Sequence, residues 1–313
     1  MLVYFKIADK FSIIDKPNHR SAHTEITLRG GGIIFPVAFF LLMGTHLISN
    51  AGSSLLHYIP FGIGLLAICT ISFIDDVLDL SRKIRIVFHF ISVTLLLYFL
   101  NAFQLLPFWA IPLLYILIIG ILNAYNFMDG INGMSGLYSL TVLCSLLYVN
   151  YRITGFADAD FIIYPILACL VFLFFNFRQK AKCFMGDIGS MGIAFWVIAL
   201  IGMLILKTGE LKWILFLSVY GIEVIFTIFE RLRLKENIFE AHRRHLYQLF
   251  ANDKKVSHLT VSSFYAGIQL MINGIIISAD LPELLIFVLI LVPASLLYLY
   301  IKLKVKRQIS TQD

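Results

Sequence analysis

The chain has 313 residues, of which 59% are hydrophobic and only 14% are charged, and its mean hydropathy is +0.87. Because a soluble domain carries about 45–50% apolar and about 25% charged residues, this composition excludes soluble enzymes, secreted modules and disordered tails. It indicates a membrane protein, in which the net charge of +6 must be explained by where the charges lie along the chain.

Ten apolar runs follow one another along the chain, and each is close to the length of a transmembrane helix. Spanning strands are not expected, since they alternate apolar and polar residues, whereas these runs are apolar all round. The sequence therefore predicts an all-α, polytopic membrane protein of about ten helices that forms one domain over residues 1–313. The runs are 31–49, 58–74, 86–103, 108–124, 134–150, 161–177, 190–206, 211–229, 259–279 and 282–301.

Lysine and arginine are divided unevenly between the two sets of loops. The side that contains both termini holds 22 of the 25, and the other side holds only Arg152, Lys207 and Lys212. The positive-inside rule therefore predicts that both termini and the basic loops face the cytoplasm. This topology explains the basic charge, so no nucleic-acid partner is expected. The four cysteines lack metal-binding spacing, and we predict neither a disulfide nor a zinc site.

The first polar cluster is FIDDVLDLSRKIR, at the end of the second apolar run. Asp75 and Asp76 are followed there by Arg82, Lys83 and Arg85. Adjacent carboxylates at a membrane interface repel each other and need a basic partner or a metal to stay ionised. The alternative is an ordinary solvated helix end.

The second cluster is NAYNFMDGINGMSG, at the inner end of the fourth run. Asn123, Asn126 and Asp129 recur every three residues, which places them on one helical face. We expect the glycines that follow to let the backbone approach an anionic ligand before the next helix, although glycine is also common where membrane helices pack closely. The P-loop motif is absent from the sequence, which excludes a P-loop NTPase.

The third and fourth clusters are KAKCFMGDIGSMG and EAHRRHLYQ. Asp187 stands between two glycines directly before an apolar run, a setting that suits oxygen ligation of Mg²⁺ or, alternatively, a helix N-cap. His242, Arg243, Arg244 and His245 are consecutive, and such a group indicates a polyanion, either a diphosphate or lipid headgroups.

Taken together and in this order, these segments resemble the polyprenyl-phosphate N-acetylhexosamine-1-phosphate transferase family. The segment DKPNHRSAHTEITLRGGG resembles that family's first loop, so the resemblance covers about residues 15–260. It implies transfer of a sugar-1-phosphate from a UDP-N-acetylhexosamine to undecaprenyl phosphate, with release of UMP, as the first membrane step of a cell-surface polysaccharide such as lipopolysaccharide O-antigen. It also implies contact with membrane lipids, location in the bacterial cytoplasmic membrane, and Mg²⁺ as cofactor, for which Mn²⁺ can substitute.

The resemblance also implies a role for each matching residue. Asp187 and Asn126 correspond to metal ligands, and Asp75, Asp76 and Asp129 correspond to catalytic acids. The residues implied to bind substrate are Asn123, Lys83, Arg85, His242, Arg243, Arg244 and His245.

Three features depart from the family pattern. Asn132 stands where bacterial members usually have a second aspartate, although the eukaryotic branch also has asparagine there. The HRRH segment replaces H-x-H-H, as in initiators that use modified N-acetylhexosamines. Family members begin with another transmembrane helix, whereas only about 14 residues precede the first loop here, which suggests a misplaced start codon or an absent helix.

The acceptor phosphate is largely a dianion near neutral pH, so strong general-base catalysis is not required. We expect direct attack of the lipid phosphate on the sugar-proximal phosphorus, with Asp75 positioning that phosphate or taking its residual proton. A two-step path through an aspartyl-phosphate at Asp75 or Asp76 stays open.

A second hypothesis is a secondary transporter of a nucleotide-sugar or lipid-linked sugar. Such transporters place ionisable groups near the bilayer midplane, often in two related halves, and this chain shows neither feature clearly. Glu223 is the one acid well inside a run, either as a buried paired residue or beside an active site. The sequence leaves open which UDP-sugar is used and whether two copies form a homodimer.

Overall fold

The computed structural model describes residues 1–15, 26–48, 52–78, 80–237 and 242–310, and only the backbone of 52–55 and 310. Most of the first loop of the resemblance, residues 16–25, lies outside the described residues. The same holds for Asp79 of the first polar cluster and for Glu240 and Ala241 of the fourth.

The first half of the chain contains seven helices and a short ribbon of two strands within the described ranges. The strands pair antiparallel, with Ile14 opposite Leu28. In chain order the elements are α1 (Leu2–Lys10), β1 (Ile14–Asp15), β2 (Thr27–Leu28), a 3-10 turn (Gly31–Ile33), α2 (Ile34–Ile48), α3 (Gly52–Leu78), α4 (Arg82–Phe99), α5 (Ala102–Leu105), α6 (Ala110–Met128) and α7 (Met134–Arg152).

The second half is entirely helical where it is described. Its elements are α8 (Ala159–Asn176), α9 (Gly186–Thr208), a 3-10 helix (Leu211–Leu217), α10 (Ser218–Arg233), α11 (Leu246–Gln248), a π turn (Leu249–Asp253), α12 (His258–Ser278) and α13 (Glu283–Ser310). All four cysteines are free.

Within the described ranges, eight helical segments are long and apolar enough to cross a membrane. The other two predicted runs, 86–103 and 134–150, also fold as helices, but α4 begins with three basic residues and α7 carries many polar side chains. The prediction of an all-α polytopic membrane protein is therefore confirmed, while the count of ten spans stays a prediction.

Helix α9 is the centre of the bundle. It contacts α2, α3, α6, α7 and α8, and nearly all of its side chains are buried, whereas most of α13 is exposed. Large apolar side chains such as Ile116, Phe174 and Leu296 are exposed on the outer helices. Because lipid is as apolar as these side chains, a multi-pass membrane protein can present them on its perimeter.

The segment after β2 lies directly against the start of α9. The N–H groups of Gly31 and Gly32 donate to the carbonyls of Phe184 and Met185, at 2.8 and 2.9 Å. A Cβ on Gly32 or on Gly189 would collide with the backbone of the other residue, so only glycine permits this approach. The consequence is that residues near the N-terminus reach the first turn of the central helix.

Candidate functional site

The predicted polar clusters meet at one end of the bundle around a cavity of about 520 Å³. Apolar side chains, including Ile71, Ile119 and Ile228, also line it, and such a mixed lining is typical of a small-molecule site. Seven of the predicted site residues line the cavity, namely Asp75, Arg85, Asn123, Asn126, Asp187, His242 and His245.

Asp76 connects three parts of the chain beneath this cavity. Its Oδ1 lies 2.6 Å from the Arg29 guanidinium, and its Oδ2 accepts the N–H of Asp187 at 2.9 Å in the first turn of α9. The side chain of Asp76 is only 1% exposed. Its carboxylate therefore caps α9 from another helix, a favourable place for negative charge, and it does not line the cavity.

Asp75 points the other way, into the cavity. Its Oδ2 lies 2.6 Å from the Arg85 guanidinium, and its Oδ1 accepts the N–H of Leu80 at 2.8 Å. These two contacts fix the orientation of the carboxylate while Arg85 stays partly exposed. The adjacent aspartates of the sequence thus have different surroundings.

Asp187 is the carboxylate that the first turn of α9 presents to the cavity. It is 24% exposed, and its Oδ1 lies 3.5 Å from Arg29. The N-cap residue of α9 is Met185, and Asp187 lies within the first turn, so the N-cap alternative for Asp187 is wrong. Burial lowers the pKa of Arg29, but the carboxylates of Asp76 and Asp187 outweigh that effect and raise it.

Oxygen donors suited to a divalent cation lie near Asp187. Asn126 lines the same cavity and its amide nitrogen donates to the Ser190 hydroxyl at 3.3 Å, which leaves the amide oxygen as a ligand. Across the described ranges, no three His, Cys, Asp or Glu side chains gather into a metal cluster. A set of one carboxylate and one amide fits Mg²⁺, which is commonly held by one or two carboxylates together with substrate phosphates and water.

Asp129 lies just beyond the end of α6 and does not line the cavity. Burial raises its pKa to about 7, and nearby Asp187 adds to the rise, while a hydrogen bond with Ser135 and the charge of Arg29 oppose it. Its carboxyl group is therefore available as a proton carrier near neutral pH.

The two histidines of the fourth cluster lie side by side at the cavity, with ring centroids 4.8 Å apart. Nδ1 of His245 lies 3.5 Å from a carboxylate oxygen of Glu223, which is buried. Glu223 also accepts the Tyr265 hydroxyl at 2.6 Å and the Tyr298 hydroxyl at 3.2 Å. Both hypotheses for Glu223 are therefore met in part. Its carboxylate is buried and hydrogen-bonded, and it also contacts His245, which lines the cavity.

The fourth cluster carries less positive charge into the cavity than its sequence indicates. Burial, together with the neighbouring His245 and Arg231, lowers the pKa of His242 to about 3, so this ring is neutral near pH 7. Arg244 forms ion pairs with Glu230 and Glu236 and does not line the cavity.

Two further predicted substrate-binding residues, Lys83 and Arg243, are likewise absent from the cavity lining. The cations that line it besides Arg85 are Arg82 and Arg231. Arg82 belongs to the first cluster and could have been chosen from it. Arg231 lies at the end of α10, where an arginine is equally expected as a helix-end charge, so the local sequence gives no signal.

The glycines of the second cluster serve packing against rings. A Cβ on Gly130 would meet the ring of Tyr247, and one on Gly133 would meet the ring of Phe177. The N–H of Gly133 donates to Asn176 at 2.6 Å, so the expected ligand-binding turn before α7 is wrong. These glycines admit aromatic side chains of the protein itself.

Asn132, the departure from the bacterial pattern, also has a structural place. Its amide nitrogen donates to the carbonyls of Arg178 and Gln179 at 2.8 and 3.3 Å. A carboxylate cannot donate these bonds, which explains why asparagine suits this position.

Comparisons with known proteins agree with this geometry. The family model Glycosyl transferase family 4 matches residues 58–206, which include the first three clusters. A probable undecaprenyl-phosphate N-acetylglucosaminyl 1-phosphate transferase of Bacillus subtilis is 26% identical to this chain, and the alignment covers 91% of this chain and 84% of the relative's length. A phospho-N-acetylmuramoyl-pentapeptide-transferase of Borreliella afzelii is 29% identical over 74% and 76%. The undecaprenyl-phosphate alpha-N-acetylglucosaminyl 1-phosphate transferase of Escherichia coli is 26% identical over 78% and 70%.

Proposed function

Since the chain belongs to the polyprenyl-phosphate N-acetylhexosamine-1-phosphate transferase family, we propose that it transfers an N-acetylhexosamine-1-phosphate from a UDP-sugar to undecaprenyl phosphate. UMP is the second product, and the lipid-linked sugar begins a cell-surface polysaccharide such as O-antigen. One observation carries this proposal: a single cavity receives the paired Asp75 and Arg85, the amide of Asn126, and the carboxylate of Asp187.

The charges of the cavity suit a reaction between two phosphate groups. Repulsion between the lipid phosphate and the diphosphate is the main obstacle, and fixed cations reduce it. Arg82, Arg85 and Arg231 line the cavity and supply such charge. The apolar lining residues offer a surface for the first prenyl units of the acceptor.

We assign Mg²⁺, or Mn²⁺ in its place, to the oxygens of Asp187 and Asn126. When bound, the ion neutralises charge on the diphosphate and on the departing UMP. The first turn of α9 holds Asp187 in position, because the carboxylate of Asp76 accepts a hydrogen bond from the backbone N–H of Asp187. The metal site thus rests on a buried carboxylate that takes no part in ligation.

Asp75 is the residue we assign to the acceptor phosphate. Its carboxylate is oriented by Arg85 and by the N–H of Leu80, and from the cavity wall it positions the lipid phosphate or takes that group's residual proton. Asp76 is a poor nucleophile, because its two oxygens bind Arg29 and the start of α9. An aspartyl-phosphate path, if used, would therefore run through Asp75.

The orientation in the membrane follows the distribution of basic residues. We place the cavity and both termini on the cytoplasmic side of the bacterial inner membrane, where UDP-sugars are available, because 22 of the 25 basic residues lie on that side.

The experiment is an assay of purified protein with undecaprenyl phosphate, Mg²⁺ and a panel of UDP-N-acetylhexosamines, in which released UMP and the lipid product are measured. Stoichiometric UMP and lipid-linked sugar from at least one donor would support the proposal. A secondary transporter reconstituted in vesicles would move a nucleotide-sugar without releasing UMP, and this result would replace the proposal.

A further inference from the structure

A second groove, of about 640 Å³, lies between α10 and α13 and shares no lining residue with the substrate cavity. Helix α13, and α10 together with the 3-10 helix before it, are long and apolar enough to cross a membrane. Both α10 and α13 run toward the end of the bundle that carries the polar clusters. The groove is therefore beside the proposed active site but separate from it.

The mouth of the groove is strongly basic. Arg233, Arg244, Lys302 and Lys306 line it, and Glu230 is the one carboxylate in the lining. Lys302 lies 3.0 Å from Glu230, Arg244 lies 3.5 Å from it, and Lys306 is also paired with it. The four cations exceed the one lining carboxylate by three charges, and the buried Glu223, whose charge also acts on Lys302, reduces this excess to two.

A further carboxylate nearby does not remove that excess. Glu236 binds Arg244, but it also binds Arg231 at 3.2 Å, so it brings its own additional cation. The groove therefore has the charge to receive a phosphate group.

Apolar side chains line the groove on the same two helices. Phe229 is 64% exposed and Leu303 is 57% exposed, and each precedes a basic residue of the lining by about one helical turn. Phe229 and Leu303 thus lie nearer the middle of their helices than Arg233 and Lys306, which are the last cations of the lining on α10 and α13. An inorganic anion would use only the cations, whereas a lipid with an anionic head and acyl chains matches this order.

We infer that this groove binds the headgroup and upper acyl chains of an anionic phospholipid. Arg244 connects the bound lipid to the substrate cavity, since it directly precedes His245, which lines that cavity. Lys302 already donates to Thr227, Tyr298 and Glu230, so the phosphate falls to the other three cations. A lipid phosphate on Arg233, Arg244 and Lys306 would hold this loop in place.

The test measures the phospholipid that the protein retains. Purified protein is incorporated into nanodiscs of phosphatidylcholine and phosphatidylglycerol, released into mild detergent, and analysed by native mass spectrometry. We expect wild type to retain phosphatidylglycerol over phosphatidylcholine. The double variant Arg233→Gln, Lys306→Gln should retain at least about fivefold less, because each lost cation near a lipid surface weakens binding by up to about fivefold.

The matched control is Lys235→Gln, Lys304→Gln. It removes the same charge from α13 and from the position two residues after the end of α10, but neither residue lines the groove. It should retain as much phosphatidylglycerol as wild type. If the double variant unfolds at a lower temperature than the control, the single variant Lys306→Gln replaces it. This variant should retain about twofold less phosphatidylglycerol than wild type.

Three results would overturn the inference. An equal loss in both double variants would show general surface attraction, and no loss in either would show that the groove is not occupied by this lipid. Displacement of the retained lipid by millimolar inorganic phosphate, or by stoichiometric undecaprenyl phosphate, would assign the groove to a free anion or to the acceptor. Because the readout is binding, it is independent of whether the proposed transfer reaction is correct.

Discussion

The two ends of the helix bundle both carry polar side chains, but they use them differently. At the end without the predicted clusters, Asn150 accepts the N–H groups of Phe156 and Ala157, and the Tyr58 hydroxyl donates to Asp158 at 2.8 Å. These contacts close loops. A groove beside Arg152 at that end is lined by tyrosine, leucine and cysteine and contains no carboxylate.

At the other end, side chains from four parts of the chain converge and remain partly open. Asp187 and Arg85 each have a partner, yet both keep exposed surface toward the cavity. Polar content alone therefore does not identify the site. The site is identified by charged side chains that converge from distant parts of the chain and keep exposed surface toward a cavity.

Replacing one aspartate at each end of the bundle should have very different effects on the rate of UMP release. Asp187→Asn should lower the rate of UMP release by about 100-fold or more, because a neutral amide replaces the carboxylate assigned to the metal. Asp158→Asn removes a carboxylate from the far end and should change the rate by no more than about twofold. Both rates are measured on purified protein at millimolar Mg²⁺. An Asp187→Asn variant that kept more than a tenth of wild-type activity would disprove the ligand assignment.

The next effect concerns Asp75 and separates the two chemical paths. If Asp75 positions the lipid phosphate or takes its proton, Asp75→Asn should lose activity by about 10- to 100-fold and recover partly as pH rises from 6 toward 9. The reason is that the acceptor phosphate, with a second pKa of about 6, loses its last proton without help at higher pH. The measurement is the pH profile of UMP release.

A control with wild type completes that experiment. Exchange of labelled UMP into UDP-sugar in the absence of lipid requires a covalent enzyme intermediate. A dead, flat profile of Asp75→Asn together with rapid exchange would replace direct attack by the two-step path.

Asp76→Asn should destabilise the protein more than Asp75→Asn does. Asp76→Asn leaves the Arg29 guanidinium without its closest carboxylate and weakens the cap of α9. We expect the free energy of unfolding to fall by about 1–3 kcal/mol, whereas Asp75→Asn, at the cavity wall, should change it much less. Thermal unfolding of the two purified variants measures this. Equal unfolding temperatures would show that the two aspartates do not divide structure and chemistry between them.

The smallest effect is the pH dependence that Asp129 contributes to stability. Its pKa in the folded protein is raised to about 7, above the usual value near 4, so the folded state holds this proton more tightly than the unfolded state. The stabilisation is present below about pH 4 and is lost as pH rises through about 7. Wild type should therefore lose stability relative to Asp129→Asn between pH 5 and pH 8. A difference in unfolding temperature that stays constant over this range would contradict the raised pKa.

The sequence predicts the helical membrane fold because each apolar run is long and uninterrupted. The structure places most of the described part of every run in helical segments, although 86–103 is divided between α4 and α5, and 211–229 between a 3-10 helix and α10. The sequence also identifies seven of the eleven polar residues that line the cavity, since short clusters on loops and helix ends carry their own chemistry. It cannot separate Asp75 from Asp76, because neighbouring residues of a helix point in different directions and only packing decides which one faces the core.

Other features depend on contacts between distant parts of the chain. Arg29 reaches Asp76 across 47 positions, and Glu223 meets Tyr265 across 42 positions. The glycine at 133 is read from its sequence as a ligand-binding turn, yet it makes room for Phe177. No local sequence pattern contains these partners. The local sequence therefore shows which residue types are present, and only the fold determines which residues each of them contacts.

A UDP-N-acetylhexosamine labelled at the sugar-proximal phosphorus shows whether the cavity directs attack at that atom. Purified protein is incubated with the labelled donor and undecaprenyl phosphate, and the label is followed into the lipid and nucleotide fractions. We predict that the label enters the lipid product while unlabelled UMP is released. Label recovered in UDP, with the sugar alone on the lipid, would contradict the assignment.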